Sequence, residues 1–154
     1  MTRSFTLVTV ADVPPEVLFA ASLDIDRHVA SMARSRERAI GGVTSGSIGL
    51  GEHVTWRARH FGVWFTMTSR ITELEAPLRF VDEQIAGPFR RFRHEHVFEA
   101  IGADAAVGAR MGTRMSDTIT LASPVFGGLV EDVVLVPYLR GLIAWRNAEL
   151  LASL

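Results

Sequence analysis

The sequence contains no cysteine and no lysine, and each absence excludes a class of chemistry. Without cysteine the chain has no disulfide, no thiolate metal ligand and no thiol nucleophile. Without lysine it lacks the residue that ends a nucleotide-binding phosphate loop, so the glycine-rich stretch from Gly41 to Gly51 indicates turns around a short strand. All 16 basic residues are therefore arginine.

Long apolar runs and a strong net charge are missing as well. No run approaches the roughly 18 apolar residues that span a bilayer, and the amino-terminal residues lack the apolar core of a signal peptide. We therefore expect no transmembrane segment and a cytoplasmic protein. The net charge of -1 offers no electrostatic footprint for nucleic acid. The 154 residues, 48% of them hydrophobic, favour one domain over residues 1–154 with a single core.

The amino-terminal third predicts one strand and two short helices. Residues Phe5 to Val10 are mostly β-branched or aromatic, which favours a strand. The run Asp12–Glu16 places proline and an acid where a helix begins. Asp24 is suited to cap a second helix, because a carboxylate accepts bonds from the free N–H groups of the first turn. His28 on that helix is expected to be a partly exposed surface residue, with a place at the mouth of a ligand cavity as the alternative.

The middle of the chain predicts strands joined by short connections, which favours antiparallel pairing. The predicted strands are His53–Phe61, Trp64–Thr72, Phe80–Ala86, Phe89–Ala100 and Val107–Leu121, with a turn at Gly102–Ala105. In Phe89–Ala100, residues 92, 94, 96 and 98 share the inner face. The alternate positions 91, 93, 95 and 99 carry arginine and glutamate, so we expect a solvated outer face with cross-strand ion pairs.

The last segment, Pro124–Leu154, has apolar residues mostly three or four apart, which predicts a long helix with a wide apolar stripe. Pro137 lies inside it and removes a backbone donor, so we expect a kink about one turn earlier. Arg140 and Arg146 lie toward its carboxyl-terminal half, where cations suit the helix dipole. Trp145 is expected to pack in the core.

These elements predict an α+β fold in which a curved antiparallel sheet of about seven strands wraps around the C-terminal helix. Two short helices follow the first strand. A strongly curved sheet cannot touch a helix along its whole length, so a cavity remains between them. Such a cavity is mostly apolar with a few polar groups.

The chain also resembles a known superfamily, and several runs carry the likeness: Leu50–Trp56, Arg79–Gln84, Gly87–Phe89, His94–Phe98, Gly112–Asp117 and Tyr138–Asn147. With them it resembles the START-like helix-grip superfamily (SRPBCC), which includes lipid-transfer domains, plant pathogenesis-related allergens and polyketide cyclases. Within it, the likeness is to small bacterial proteins described as polyketide cyclase/dehydrase-like. The resemblance implies a helix-grip fold and a small hydrophobic ligand of the lipid or polyketide type. It does not fix a function, because one fold hosts many.

Strand alternation turns a set of aromatic and polar side chains toward the predicted cavity. The candidate ligand-binding residues are Trp56, His60, Phe80, Asp82, Gln84, Phe92, His94, His96, Phe98, Met115 and Asp117. A polar group left unpaired in an apolar interior costs about 1–3 kcal/mol. The polar members of this set are therefore expected to bond to one another or to a ligand, and the favoured interpretation is a network that orients a bound molecule.

The same polar residues support a catalytic alternative. A carboxylate beside an imidazole fixes its tautomer and keeps it basic. His94 or His96, oriented by Asp82 or Asp117, would then transfer a proton on a bound carbonyl compound, as in a cyclase, aromatase or dehydratase that uses no metal. A third alternative is a regulatory module that docks on another protein and holds no ligand.

The pair His94-x-His96 also raises a metal interpretation. Two imidazoles on one strand face chelate zinc when a third ligand is near, for instance Asp117 or His60. Paired strand histidines are by default packing or hydrogen-bonding residues, so the sequence predicts no metal and no cofactor. The expected partner is a small apolar molecule, with a homodimer left open.

Overall fold

The computed structural model describes residues 2–102, 111–124 and 128–154, and their main element is a seven-stranded antiparallel sheet. The order across the sheet is β1-β7-β6-β5-β4-β3-β2, so the first strand lies beside the last. The strands are β1 (Arg3–Ala11), β2 (Arg38–Gly42), β3 (His53–His60), β4 (Val63–Glu75), β5 (Arg79–Ala86), β6 (Arg91–Ile101) and β7 (Gly112–Ala122). The predicted sheet of about seven strands is confirmed.

Two short helices follow β1, as predicted, and a longer helical segment ends the chain. The short helices are α1 (Pro15–Ser22) and α2 (Ile25–Ser31), followed by a 3₁₀ turn at Ala33–Ser35. The Asp24 side chain accepts a hydrogen bond from the backbone N–H of Arg27 at 3.0 Å, which confirms the predicted cap. None of the helices in the described ranges is both long enough and apolar enough to cross a membrane.

The C-terminal helix consists of α3 (Gly128–Val130), a π-helical turn (Glu131–Leu135) and α4 (Val136–Ala152). The π-helical turn lies where the kink was predicted. Pro137 has no N–H to donate to the carbonyl four residues earlier, so the regular α-helical ladder is broken at that point. A wider turn is one of the ways in which a helix accommodates such a break.

The observed strand bounds differ from the predicted ones mainly at their ends. The short strand expected within Gly41–Gly51 begins earlier, because Arg38 and Ala39 pair with β3. A Cβ at Gly42 would lie 2.2 Å from the His53 carbonyl oxygen, so this closely approached position requires glycine. The early part of the strand predicted at Val107–Leu121, and most of the turn predicted at Gly102–Ala105, lie outside the described residues.

The core contains two apolar clusters placed along the C-terminal helix. In the first, the Phe19 ring of α1 lies edge-on to Phe80 and Phe98 of the sheet, with centroids 5.7 and 5.3 Å away, and Leu150 of α4 packs nearby. The second cluster includes Ile143 of α4 and buried residues of β1 and β7. Between these two contact points the helix presents polar residues to the sheet, and this is where the candidate site lies.

The outer face of the sheet carries the predicted ion pairs. Arg93 lies 3.1 Å from Glu95 and 3.6 Å from Glu73, and Arg79 lies 2.7 Å from the same Glu95 carboxylate. These pairs are partly exposed, so each contributes about 0–1 kcal/mol to stability. These ion pairs account for the alternation of Arg and Glu along β6, so the pattern does not indicate a binding site.

Candidate ligand cavity and its polar end

A cavity of about 610 Å³ lies between the sheet and the C-terminal helix. This volume falls in the range of small-molecule sites. Its apolar wall includes Trp56, Ala58, Phe65, Met67, Phe92, Leu139, Leu142 and Ile143. It follows the helix from the exposed Val130 and Val134 down to the buried Arg146, and the exposed Phe61 also lines it. The cavity therefore has an apolar mouth and a polar end.

The strand register assembles the polar end. Asp82 of β5 is paired with His94 of β6, and His96 of β6 is paired with Asp117 of β7. Residues paired across antiparallel strands, or two apart on one strand, project to the same face. Three adjacent strands thus bring two imidazoles and two carboxylates together under the helix.

Asp117 lies at the centre of this group and is completely buried. Its Oδ1 atom accepts hydrogen bonds from His94 Nε2 at 2.7 Å and from Arg146 Nη2 at 3.1 Å. Its Oδ2 atom accepts one from Asn147 Nδ2 at 2.7 Å. His96 Nδ1 lies 3.0 Å from Oδ1, within ion-pair distance but without the angle of a hydrogen bond. We call Asp82, His94, His96, Asp117, Arg146 and Asn147 the polar cluster.

The other side of His96 faces Asp82, whose Oδ2 lies 3.0 Å from His96 Nε2. The rings of His94 and His96 are stacked with centroids 3.8 Å apart, and His96 is stacked in turn on Phe80 at 4.1 Å. These stacks leave the imidazoles little freedom to rotate. The cluster is therefore a preorganised polar surface.

Burial and mutual contacts set the charges of the polar cluster. Burial, together with the charge of the neighbouring His96, lowers the pKa of His94 to about 4, so His94 is neutral near pH 7. Burial opposes the charge on His96, yet Asp117 and Asp82 outweigh it and raise its pKa. Burial also opposes the charge on Asp117, but Arg146 and the histidines hold its pKa well below the usual range. Opposite charges therefore balance within the cluster.

Two further polar pairs lie along the cavity. His28 is hydrogen-bonded to Glu37 and packs over the Trp56 ring at 4.4 Å, and both members of the pair line the cavity. His28 is thus partly exposed, as expected, and it also lines the cavity, which was the alternative interpretation. His60 Nδ1 lies 2.7 Å from the Tyr138 hydroxyl, nearer the mouth. Burial lowers the pKa of His60, which favours its neutral form.

The structure places part of the predicted site on the cavity wall: Trp56, His60, Asp82, Phe92 and His94. Phe80 and His96 line only a smaller adjoining pocket of about 60 Å³, which Asp82, His94 and Arg146 also line. The strands had the predicted inner faces, but facing inward does not by itself place a side chain on the cavity. Helix packing over the sheet decides which inward residues remain accessible.

Four predicted contact residues line neither of these two spaces. Phe98, Met115 and Asp117 are sealed beneath the helices and are essentially inaccessible. Gln84 uses its side-chain amide to bond the backbone N–H and carbonyl of Phe89, and so closes the β5–β6 turn. Its position near the end of β5 explains this local role. These residues support the site from behind or from the side.

Residues of α4 were missed or misassigned. Arg146 is predicted to interact only with the helix dipole, but it is buried and bonded to Asp117. Trp145 is predicted to lie in the core, but it is 40% exposed under the Arg34 guanidinium. A signal for Arg146 and Asn147 was present in the sequence. They interrupt the apolar stripe between Ile143 and Leu150, at the helical spacing that faces the sheet.

Comparison with known proteins gives structural likeness only, because no family model and no curated protein matches the sequence. The chain is similar to TTHA0849 from Thermus thermophilus, with TM-score 0.73, 19% identity, and 98% of this chain and 99% of that chain covered. It is similar to Ara h 8.0201, with TM-score 0.63, 15% identity and 99% of each chain covered. It is also similar to ginseng major latex-like protein 151 from Panax ginseng, with TM-score 0.70, 12% identity, and 99% of this chain and 97% of that chain covered.

These likenesses extend over nearly the whole of each chain. Together with the sheet and helices described above, they confirm the fold implied by the family resemblance. The chain has the helix-grip fold. At such low identity the likeness concerns the fold, and function has to be inferred from the site.

Proposed function

We propose that the chain binds a small hydrophobic molecule of the lipid or polyketide type in this cavity. The observation that carries the proposal is the cavity itself, whose apolar wall leads to a buried polar cluster. A ligand with an apolar body and one polar group matches that distribution. The helix-grip fold supports the proposal as an analogy.

The polar cluster offers the ligand a defined contact surface. Asp82 retains 22% side-chain exposure, and His94 and Arg146 also line the cavity. His94 Nε2 bonds Asp117, which leaves Nδ1 as the ring nitrogen on the other side. We expect the polar group of the ligand to lie against Asp82, His94 and Arg146, while its apolar body contacts Trp56 and the helix.

Filling the cavity should abolish this binding. Ala58 is small and buried, and it lies on the cavity wall, so Ala58→Phe places a ring inside the space that the ligand needs. We expect the affinity for the fluorescent apolar dye anilinonaphthalene sulfonate to fall at least about tenfold, which is about 1.4 kcal/mol. The matched control is Ala100→Phe, which adds the same ring at an exposed position near the end of β6.

Fluorescence titration of wild type and both variants measures the effect, with native mass spectrometry of the freshly purified protein as a second readout. Loss of dye binding, or of a co-purifying small molecule, in Ala58→Phe alone supports the cavity. Equal binding by wild type and Ala58→Phe, with no co-purifying molecule in either, would contradict the proposal.

A second candidate function is acid–base catalysis on such a ligand, as in a cyclase, aromatase or dehydratase. One observation favours it, namely that a buried carboxylate fixes His94 by bonding one ring nitrogen while His94 also lines the cavity. A neutral imidazole held in this way has a free ring nitrogen that can accept a proton, although its pKa of about 4 makes it a weak base near pH 7. Polyketide-like carbonyl compounds should then be converted by wild type. His94→Gln and His96→Gln should lower the rate about 100-fold or more, and unchanged turnover in both variants would rule the enzyme out.

A further inference from the structure

Three residues of the polar cluster bring potential metal ligands to one place. Asp82, His94 and His96 each offer one ligand atom, and these atoms lie within 4.8 Å of one another. They come from two paired strands, with Asp82 directly opposite His94 and His96 two residues further along. Two imidazoles and a carboxylate are a donor set that Zn²⁺ accepts.

The surroundings orient the two histidines for such a role. Asp117 accepts the Nε2 bond of His94 at 2.7 Å and lies 3.0 Å from Nδ1 of His96. A carboxylate on the far nitrogen of a ligating histidine fixes the tautomer and the ring direction. It leaves His94 Nδ1 as a nitrogen with a free lone pair. His96 Nε2 is bonded to Asp82 at 3.0 Å and would give up its proton on binding the metal.

The Nδ1 atom of His94 is available to a ligand. The bond to Asp117 uses Nε2, and in the described part of the chain no hydrogen bond is made to Nδ1. His94 also lines the cavity, so a metal ion that enters there can reach its side chain.

We propose that Asp82, His94 and His96 form a zinc-binding site at the polar end of the cavity. This departs from the expectation of no metal and from the third ligands considered on sequence grounds. Asp117 is already bonded by Arg146 and Asn147, and His60 is bonded to Tyr138, so neither is free to coordinate. Asp82 takes that place, because its hydrogen bond joins it to His96, and a metal ion bound by both residues would replace that bond.

Closing the ligands around the metal requires only side-chain movement. Zinc lies about 2.0–2.2 Å from nitrogen and oxygen ligands, so two ligand atoms lie no more than about 4.4 Å apart. The present spacing exceeds this limit by a few tenths of an ångström at most. The carboxylate of Asp82 is partly exposed and is the member that can move.

The site would leave a coordination position open toward the ligand. With three protein ligands, zinc keeps a fourth position for water or a substrate oxygen. Asp82 and His94 line the cavity, so that position faces the space proposed for the apolar molecule. The ligand class that fits is a molecule with an apolar body and an oxygen donor such as a hydroxyl or carbonyl.

Metal titration of untagged protein tests the site without any organic ligand, so its outcome is separate from that of dye binding. After treatment with a chelator and its removal, calorimetric titration with zinc chloride should show one zinc per chain. Asp82→Asn, which keeps the side-chain shape, and His94→Gln should each weaken zinc binding by at least about 10–100-fold. The matched control is His53→Gln, which replaces an exposed histidine at the start of β3 and should bind zinc like wild type.

Cobalt chloride gives a second readout that does not depend on the variants. Co²⁺ in a four-coordinate site of nitrogen and oxygen ligands should give an intense visible absorption in wild type that excess zinc removes. No stoichiometric zinc uptake by wild type would overturn the proposal. Uptake that survives in Asp82→Asn and His94→Gln, or that is lost in His53→Gln, would assign the metal to the surface and overturn it equally.

Discussion

Replacing Asp117 by alanine should lower the free energy of unfolding by about 3–5 kcal/mol, the cost of breaking a buried ion pair. Asp117 is completely buried and accepts bonds from Arg146, Asn147 and His94. Its removal leaves the buried Arg146 guanidinium without a counter-charge. A charge in that position loses its hydration and regains little from its surroundings.

Urea unfolding of wild type and Asp117→Ala at pH 7 measures this loss, and the melting temperature should fall by about 6–20 °C for a chain of this size. Glu99→Ala is the matched control, because Glu99 is an exposed carboxylate paired with the exposed Arg114. It should change stability by no more than about 1 kcal/mol. Equal effects of the two substitutions would contradict a buried, charge-balanced cluster.

The stability of wild type should fall by about 3 kcal/mol as the pH drops from 7 to 4 because of His94 alone. The pKa of His94 is about 4 in the folded chain against 6.5 for an unburied histidine, and each pKa unit corresponds to about 1.4 kcal/mol. A lowered histidine pKa means that the unfolded chain binds the proton first. The contribution of neutral His94 to the free energy of unfolding is therefore complete above pH 6.5. It is lost as the pH falls through the folded pKa.

Other members of the cluster act in different pH ranges. The pKa of His96 is raised, so its contribution is complete below pH 6.5 and is lost as the pH rises through its folded pKa. The pKa values of Asp82 and Asp117 are lowered, so their contributions are lost only as the pH falls below 3.8. Stability should consequently be greatest near neutral pH.

Urea unfolding at pH values between 4 and 8, in the presence of a chelator, separates these contributions. His94→Gln keeps a donor for Asp117 but does not titrate, so its stability should depend much less on pH between 4 and 6.5. His53→Gln, which does not touch the cluster, should keep the wild-type slope. If His94→Gln retains the full slope, the assignment of this pH dependence to His94 is wrong.

The inner face of each strand was predictable because side chains alternate with a period of two. Asp82, His94 and His96 were assigned to that face from alternation alone, and the register then placed them side by side. Their separation into exposed and sealed positions was not predictable. Asp117 shares their face, but Arg146 and Asn147 cover it, and strand periodicity carries no information about how the helix is rotated.

The helix itself was predictable in extent and less so in orientation. Trp145 and Arg146 are neighbours, and the larger aromatic ring was assigned to the core. The structure reverses them, since Arg146 has a buried carboxylate as a partner and Trp145 has the Arg34 cation on the surface. A residue's polarity alone does not determine its burial when its partner lies on a distant strand. Asp117 and Arg146 are brought together only by the folded chain.

If the cavity binds a ligand as proposed, the π-helical turn at Glu131–Leu135 should make its two ends unequal in selectivity. Val134 and Leu135 belong to that turn and line the cavity, whereas Arg146 lies more than two turns further along, bonded to Asp117. Pro137 leaves the backbone near the mouth one donor short, so one helical turn can shift without breaking the polar cluster. We therefore expect the protein to bind a series of ligands that share one polar head group and differ in the length and branching of the apolar tail.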